Sequence, residues 1–438
     1  MNFPYFIARR VTGTSPNNKQ RSFSRLILRI AVVAVALSVA VMILTTALVR
    51  GFKSEIKGKV FGFFGHIRIT DYNASKGYST DAFPIDLNQS FYPHIDTIAG
   101  IEYEDEWLLF GQSFGEPFWR ITNGGIRHIQ AFANKAGIIK TEEAIEGIIL
   151  KGIGTDFDWE FMRNYLLEGD ILELSDSAMS RQIIISQQTA NRLNTGVGER
   201  FEVNFVEDGN IIRRRLEVAG IYRTGLEEYD RTFALVDIKQ IQRLLGWTEN
   251  QVSGFEVFVD DVEDVNIMAE YLYATELPST LYAETIREQA PEIFDWVELQ
   301  NTNERVIISL MLIVSIINMI TALMILILER TTMVGTLKSL GASNWRIRKI
   351  FLYYAAYIVG LGLFWGNLIG LTLGFLQKQF RIIKLSEADY YLSYAPIEFN
   401  IWSILFINGL TLATILIFLI IPSYLVTRID PVKALRFK

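Results

Sequence analysis

Four uncharged apolar stretches, each long enough to cross a bilayer as a helix, constrain this chain more than any other feature. They occupy residues 30–49, 306–328, 350–376 and 401–426. About 20 consecutive apolar residues span the hydrocarbon core as a helix. An ionisable side chain at mid-span would cost roughly 2.5–3.5 kcal/mol on the insertion scale, and none of the four carries one. Four such stretches together argue for membrane spans over buried helices of a soluble core. The first runs into Val49-Arg50-Gly51-Phe52 without a small-x-small cleavage site, so it is expected to be an uncleaved helix and not a signal peptide.

Flanking Lys and Arg set the orientation. Residues 1–29 hold Arg9, Arg10, Lys19, Arg21, Arg25 and Arg29 and no acid. The loop 329–349 holds Arg330, Lys338, Arg346, Arg348 and Lys349 against Glu329, and the tail 427–438 holds Arg428, Lys433, Arg436 and Lys438 against Asp430. All three read as cytoplasmic. Residues 51–300 carry 22 Lys plus Arg against 42 Asp plus Glu, which places them on the opposite side. The net charge of −6 hides that asymmetry.

The expected fold class is therefore membrane α-helical, with four transmembrane helices and a large mixed α/β domain inserted between helices 1 and 2. The segments are a basic N-terminal stretch at 1–29, a helix at 30–49, the exported domain with helical stalks at 50–305, and a helix at 306–328. A cytoplasmic segment at 329–349, a helix at 350–376, a short outer loop at 377–400, a helix at 401–426 and a cytoplasmic tail at 427–438 complete the order.

In the exported domain, 65–70, 147–151, 181–186, 233–236 and 255–259 read as strands. Residues 156–167, 187–193, 237–245 and 261–274 read as helices, the first with Thr155 and Asp158 in a capping-box arrangement and Gly169 at its end. Glu207-Asp208-Gly209-Asn210 between alternating apolar runs is a hairpin signal. The alternation of strand and helix suits a sheet covered on one face. From Ile286 the chain turns helical, with Pro291 as a start or kink and continuation into the second span.

Several chemistries are excluded. There is no Cys, so no disulfide, thiolate metal site or Cys nucleophile exists. His66, His94 and His128 are the only histidines and no two share a helical turn, which removes a helical zinc pair. No metal site and no catalytic residue is expected. Glu227/Glu228 and Asp260/Asp261 read as solvated charges. No phosphate loop of the G-x-x-x-x-G-K-[ST] type occurs, so no ATP is bound that way. Polar residues within the spans are neutral, among them Ser38, Asn318, Asn367 and Asn408, which disfavours an ion-driven carrier.

Two features carry physical content inside the membrane segments. Gly362, Gly366, Gly370 and Gly374 are each four apart, a stripe for close helix packing; Ala36/Ala40 and Ala34/Ser38 share that spacing. After Leu328 the chain reads Glu329-Arg330-Thr331-Thr332-Met333-Val334-Gly335-Thr336-Leu337-Lys338-Ser339-Leu340-Gly341-Ala342-Ser343. Val334, Leu337 and Leu340 are expected on one helix side, with Gly341 as the stop. Trp345, Ile347 and Ile350 follow on a second basic amphipathic segment. The whole is either a lipid-binding interfacial helix or a coupling helix for a cytoplasmic partner.

That loop, with the tail Arg428-Ile429-Asp430-Pro431-Val432-Lys433-Ala434-Leu435-Arg436, resembles the MacB/FtsX-type ABC transporter permease superfamily. Gly51-Phe52, Gly65-His66-Ile67 and the run Gly220-Ile221-Tyr222-Arg223-Thr224-Gly225-Leu226-Glu227-Glu228-Tyr229-Asp230 are similar to its lipoprotein-releasing LolC/LolE branch. The resemblance implies a permease subunit in the bacterial inner membrane, not itself an enzyme, with its large domain in the periplasm. It implies a homo- or heterodimer with a second permease subunit, on a cytoplasmic ABC ATPase dimer that holds the ATP and Mg; this chain would bind no cofactor. The cargo would be a lipoprotein handed to a periplasmic carrier, with the membrane and no nucleic acid as further partner. Glu329, Val334, Leu337, Lys338, Leu340, Gly341 and Ala342 would couple to the ATPase. Arg428, Asp430, Pro431, Leu435 and Arg436 match the C-terminal motif. Thr46, Val49, Phe52, Val306 and Leu310 would frame a cargo portal. MacB-like efflux and FtsX-like regulation of cell-wall hydrolysis are the alternatives. Two departures stand out: Met333 occupies a position often acidic in the family, and the hairpin at 207–210 lacks the long Pro-containing hook of the LolC type.

Overall fold

The computed structural model describes residues 20–74, 83–109, 112–113, 115–140, 145–207 and 209–428. Among them are 4 helices long and apolar enough to cross a membrane. In chain order the helices of this part are α1 (Gln20–Phe64), α2 (Pro291–Glu329), the short α3 (Thr331–Ser339), α4 (Asn344–Phe380) and α5 (Ile401–Ser423). α1 and α2 are 45 and 39 residues long. At 1.5 Å per residue that is about 60–70 Å, twice what the hydrocarbon core needs. α2 does not begin at Ile286. A capping box of Thr285 and Glu288 starts a separate short helix there, Ile286–Gln289. Pro291, which lacks an N–H, then opens α2.

The described chain divides into two compact units. One takes in the residues up to Ser54, Trp296–Lys384 and the residues from Tyr394. Its core is apolar and drawn from every helix. Val35, Val39 and Ile43 of α1 share it with Met319, Leu323 and Ile327 of α2, Val334 of α3, Phe351 and Ile358 of α4, and Ile407 and Ile415 of α5.

The other unit, Glu55–Asp295 with Leu385–Ser393, is built on a 10-stranded sheet. Its strands are β1 (Ile67–Asp71), β2 (Ile126–Lys140), β3 (Ile145–Ile153), β4 (Leu166–Gly169), β5 (Gln182–Ser186), β6 (Arg200–Glu207), β7 (Asn210–Tyr222), β8 (Phe233–Asp237), β9 (Gly254–Val259) and β10 (Leu281–Thr285). They run in the order β6-β7-β5-β8-β3-β2-β9-β1-β10, with β4 beside β7. The β5–β7 and β3–β8 pairs are parallel. The alternation of strand and helix does not show that part of the sheet closes. β6 also pairs with β2, at Val203–Ile139 and Asn204–Ile138, so six strands close on themselves. Gly137 allows this: a Cβ there would sit 2.8 Å from both Val203 and Phe205. Burial of Ile183, Ile185, Val203, Phe205, Ala234 and Val236 fills the interior.

Other local expectations shift for identifiable reasons. Residues 156–167 are not one helix; the helix covers only Glu160–Tyr165 and β4 follows at once. Thr155 does not cap it. Its hydroxyl donates to Asp176, while the Asp156 carboxylate accepts from the Ala131 N–H and the Tyr92 hydroxyl. Gly65 is a helix stop, not a strand residue: its φ of 74° is left-handed and its N–H donates to the Phe61 carbonyl at 2.8 Å. The 261–274 stretch is split into a 3-10 turn at Val262–Asp264, an α-helix at Val265–Tyr271 and a π turn at Leu272–Glu276. The hairpin at 207–210 forms between β6 and β7, with Glu207 opposite Asn210.

Candidate functional site

The cytoplasmic loop is a helix, a turn and the start of another helix. α3 ends because Gly341 takes a φ of 83°, and the Ala342 N–H donates to the Leu337 carbonyl at 2.9 Å. α4 then begins at Asn344. Val334 is fully buried, and Leu337, Met333 and Ala342 pack partly buried against the same core. Leu340 does not share that side. It is 78% exposed, because α3 stops at Ser339 and the left-handed step at Gly341 ends the periodicity. Ile347 and Ile350 are buried while Trp345 stays 51% exposed. Exposed Leu340 and Trp345, with Arg346, Lys349 and Glu329 also exposed, form the surface a partner could touch. Trp345 and Arg346 fall past the loop's glycine stop, so helical spacing within α3 does not single them out.

Lys338 faces inward: its ammonium donates to the Thr427 carbonyl at 3.1 Å. Arg348, a buried side chain, donates to Ser423 Oγ at 3.1 Å and stacks 3.7 Å from the Tyr424 ring centre. These two cations meet the carbonyl end of α5 and the turn Tyr424–Arg428 after it, where the helix dipole is negative. Arg428 closes that turn; Asp430, Pro431, Leu435 and Arg436 lie outside the described residues.

The glycine stripe of α4 meets α1. A Cβ on Gly362 would stand 2.6 Å from Val35, and one on Gly366 would stand 2.7 Å from Val39 and 2.8 Å from the Ala36 carbonyl. One on Gly370 would stand 3.2 Å from Ala40, and one on Gly374 would overlap Phe399. Ala36 and Ala40, on the small-residue spacing of the first span, are thus the positions α4 approaches.

The proposed portal residues separate into two sets. Val49 and Phe52 are buried, and Phe52 meets Trp296 edge-on at 6.0 Å. Thr46 donates to Glu304 at 2.7 Å. Val306 and Leu310 are 51% and 52% exposed, on a stripe of α2 continued by Ile313 and Ile317. Gly51 has a packing reason: a Cβ there would lie 2.7 Å from the Pro396 carbonyl.

In the sheet unit, the last turn of α1 enters an aromatic cluster. Phe63 and Phe64 pack on Phe233, and Phe64 on Tyr229 at 4.8 Å. The Phe63 carbonyl accepts from Lys151 Nζ at 2.5 Å. Lys151 is paired with Glu256 at 2.7 Å, each side chain 2% exposed, and Gln130 donates to the second Glu256 oxygen at 2.8 Å. Burial pushes the Lys151 ammonium below the ordinary Lys range, and Glu256 opposes that. Composition and spacing give no sign of this buried pair, since its members lie on different strands. The run from Gly220 to Asp230 takes in the end of β7, a turn at 223–226 and the first residues of a short helix, Glu227–Thr232; the turn is tied by Asp230, whose carboxylate accepts from Thr224 Oγ1 at 2.6 Å and the Gly225 N–H at 2.9 Å. Burial raises the Asp230 pKa against those donors. Arg223 of the same run pairs with Glu387 at 2.7 Å. Glu227 accepts from Gln188, and Asp260 from the Gly125 N–H, so these two carboxylates are tied into local structure.

Residues 305–431 match the family model of the FtsX-like permease C-terminal region, and residues 29–272 match that of the MacB-like periplasmic core domain. The latter covers more than half of the chain. The chain is similar to the lipoprotein-releasing system transmembrane protein LolC of Neisseria meningitidis, 21% identical over 433 positions and 96% of each chain. It is similar to the LolE protein of Haemophilus influenzae, 19% identical over 456 positions and 99% of each. The match to the LolC protein of Haemophilus influenzae is 24% identical and spans 59% of this chain and 64% of that one. Four spans, an α/β domain between the first two and both family matches together identify the chain as an inner-membrane ABC permease that belongs to the family with a MacB-like periplasmic core domain and an FtsX-like C-terminal region.

Proposed function

We propose that this permease is a subunit of a lipoprotein-releasing system, in which a separate cytoplasmic ATPase drives extraction of lipoproteins from the inner membrane for transfer to a periplasmic carrier. The observation that carries this reading is end-to-end likeness to proteins named for lipoprotein release, over 96–99% of both chains. A second permease subunit completes the dimer, and ATP and Mg reside on the ATPase.

Energetics shape the task. Acyl burial is worth about 0.8 kcal/mol per CH₂, so a triacyl anchor with on the order of 40 methylenes holds roughly 30 kcal/mol. Conformational coupling is typically about 1–3 kcal/mol. The anchor must therefore pass between apolar surfaces without crossing water, and the exposed stripe Val306, Leu310, Ile313 and Ile317 supports α2 as one such surface. Leu340, Trp345 and Arg346 are the ATPase-facing residues in this reading; Val334, Leu337 and Lys338 hold the loop in shape beneath them.

Depletion of the chain tests the proposal. Mature lipoproteins should accumulate in the inner-membrane fraction, and complementation by Leu340→Asp should fail although the protein inserts normally. Lipoproteins distributed as in the parent strain after depletion would remove lipoprotein release, and full rescue by Leu340→Asp would remove the coupling surface.

A further inference from the structure

We propose that the outer end of α4 is a binding surface for anionic phospholipid headgroups of the outer leaflet. The run is Gln377-Lys378-Gln379-Phe380-Arg381-Ile382-Ile383-Lys384, with three cations and no acid. It lies on the extracytoplasmic side, where flanking Lys and Arg are normally sparse. All three cations are exposed. Between them Phe380, Ile382 and Ile383 are 66%, 66% and 56% exposed. Neither membrane insertion nor core packing calls for this combination.

The turn is built, not loose. Arg381 takes a left-handed φ of 48° at the end of α4, and its N–H donates to the Gln377 carbonyl at 2.8 Å. The Gln377 side chain is buried. It accepts from the Ile383 N–H at 2.9 Å and donates to the Ala395 carbonyl at 2.9 Å. The Ala395 N–H donates back to the Ile383 carbonyl at 3.0 Å. The Arg381 guanidinium rests 4.3 Å from the Tyr394 ring centre, which orients its fork and leaves its N–H donors for an acceptor outside the chain.

Continuity with the bilayer selects lipid as the occupant. The segment is the last turn of a membrane helix, and Leu373 and Phe375 just before it are 50% and 62% exposed. Phe380, Ile382 and Ile383 extend that apolar surface to the acyl boundary, where burial stabilises them. Lys378, Arg381 and Lys384 then stand at headgroup depth, where an ammonium or guanidinium meets phosphate. This surface is independent of the cargo the permease moves.

The chain has no Cys, so Ile382→Cys provides a single labelling site in the full-length protein. A fluorophore there is read in nanodiscs of phosphatidylcholine mixed with phosphatidylglycerol, with a headgroup-proximal quencher carried by one lipid or the other. We expect quenching by both and a preference for the phosphatidylglycerol carrier. That preference should fall about fivefold for each cation replaced in Lys378→Gln and Lys384→Gln, a pair that leaves the Arg381–Tyr394 contact intact, and further with Arg381→Gln. Added inorganic phosphate should leave it unchanged. An unquenched, water-exposed label, equal quenching by the two lipids, or displacement by inorganic phosphate would each overturn the proposal, the last by showing a soluble-anion site.

Discussion

The membrane unit and the sheet unit both close a helix end with a buried cation, and they satisfy that cation differently. In the sheet unit Lys151 meets the last-turn carbonyl of α1 and needs Glu256 at 2.7 Å to remain charged in a site 2% exposed. In the membrane unit Arg348 meets the end of α5 through Ser423 and lies on the Tyr424 ring. An ammonium is a compact, strongly hydrated point charge, so burying it demands a counter-charge. A guanidinium is more weakly hydrated and can rest on an aromatic face. The sheet domain therefore holds its buried cation with a full counter-charge. The helical unit spreads small contributions over caps, glycine contacts and amide bonds.

The largest expected effect breaks the sheet side of this contrast. Lys151→Met leaves the Glu256 carboxylate buried without its cation, a loss of about 3–5 kcal/mol. Amide hydrogen exchange of the full-length protein should show β2, β3 and β9 losing protection together. Adding Glu256→Leu removes the stranded charge and should recover much of it, since replacing a buried pair by apolar residues is often neutral. A near-silent Lys151→Met would mean that the ion pair does not hold this region.

The next effect is a pH dependence confined to the sheet unit. His66 Nδ1 accepts from the Val259 N–H at 3.2 Å, so that nitrogen must be unprotonated, and the ring stacks on Phe61 at 4.5 Å. Burial, helped by the charge on Arg127, lowers the His66 pKa from 6.5 to about 4. A depressed folded-state pKa means that the contribution is complete above pH 6.5 and is lost as pH falls toward 4, by roughly 3 kcal/mol at the lower limit. Exchange protection of β1 and β9 should fall across that window in the parent and stay flatter in His66→Gln. Equal slopes would assign the acid sensitivity to other groups.

These positions also mark where the sequence was readable. The four spans were legible because apolar length is a one-dimensional property. The extent of the stalk on α1 was not, because Arg50, Lys53, Glu55, Lys57 and Lys59 end the apolar run while the helix continues to Phe64; Lys53 is accommodated by a bond to Asn301 at 2.6 Å. The glycine spacing of α4 could be read as a packing stripe, but its partner face on α1 could not, since that is a matter of tertiary approach. Periodicity sets Leu340 on one side with Val334 and Leu337, and the turn at Gly341 overrides it. The closure of β6 on β2 through Gly137, and the Lys151–Glu256–Gln130 network, join residues far apart in sequence and leave no local trace.

The smallest effect sharpens the membrane side. Asn367 on α4 and Asn408 on α5 exchange two amide hydrogen bonds, at 2.7 and 3.0 Å. Each amide also donates to the carbonyl four residues earlier in its own helix, Leu363 at 2.7 Å and Ile404 at 2.8 Å. Losing one partner therefore leaves the other amide still bonded, unlike Glu256 after loss of Lys151. In a bilayer, moreover, a separated helix finds alternative partners for its polar groups. Double-mutant cycles on such bonds average about 0.6 kcal/mol and reach about 1.7. A cycle of Asn367→Leu and Asn408→Leu, followed by reversible unfolding in mixed micelles, should return a coupling in that range. A coupling as large as that of the Lys151–Glu256 pair would erase the distinction between the two units, because a neutral, doubly satisfied amide pair would then be holding its helices as firmly as a buried charge holds the sheet.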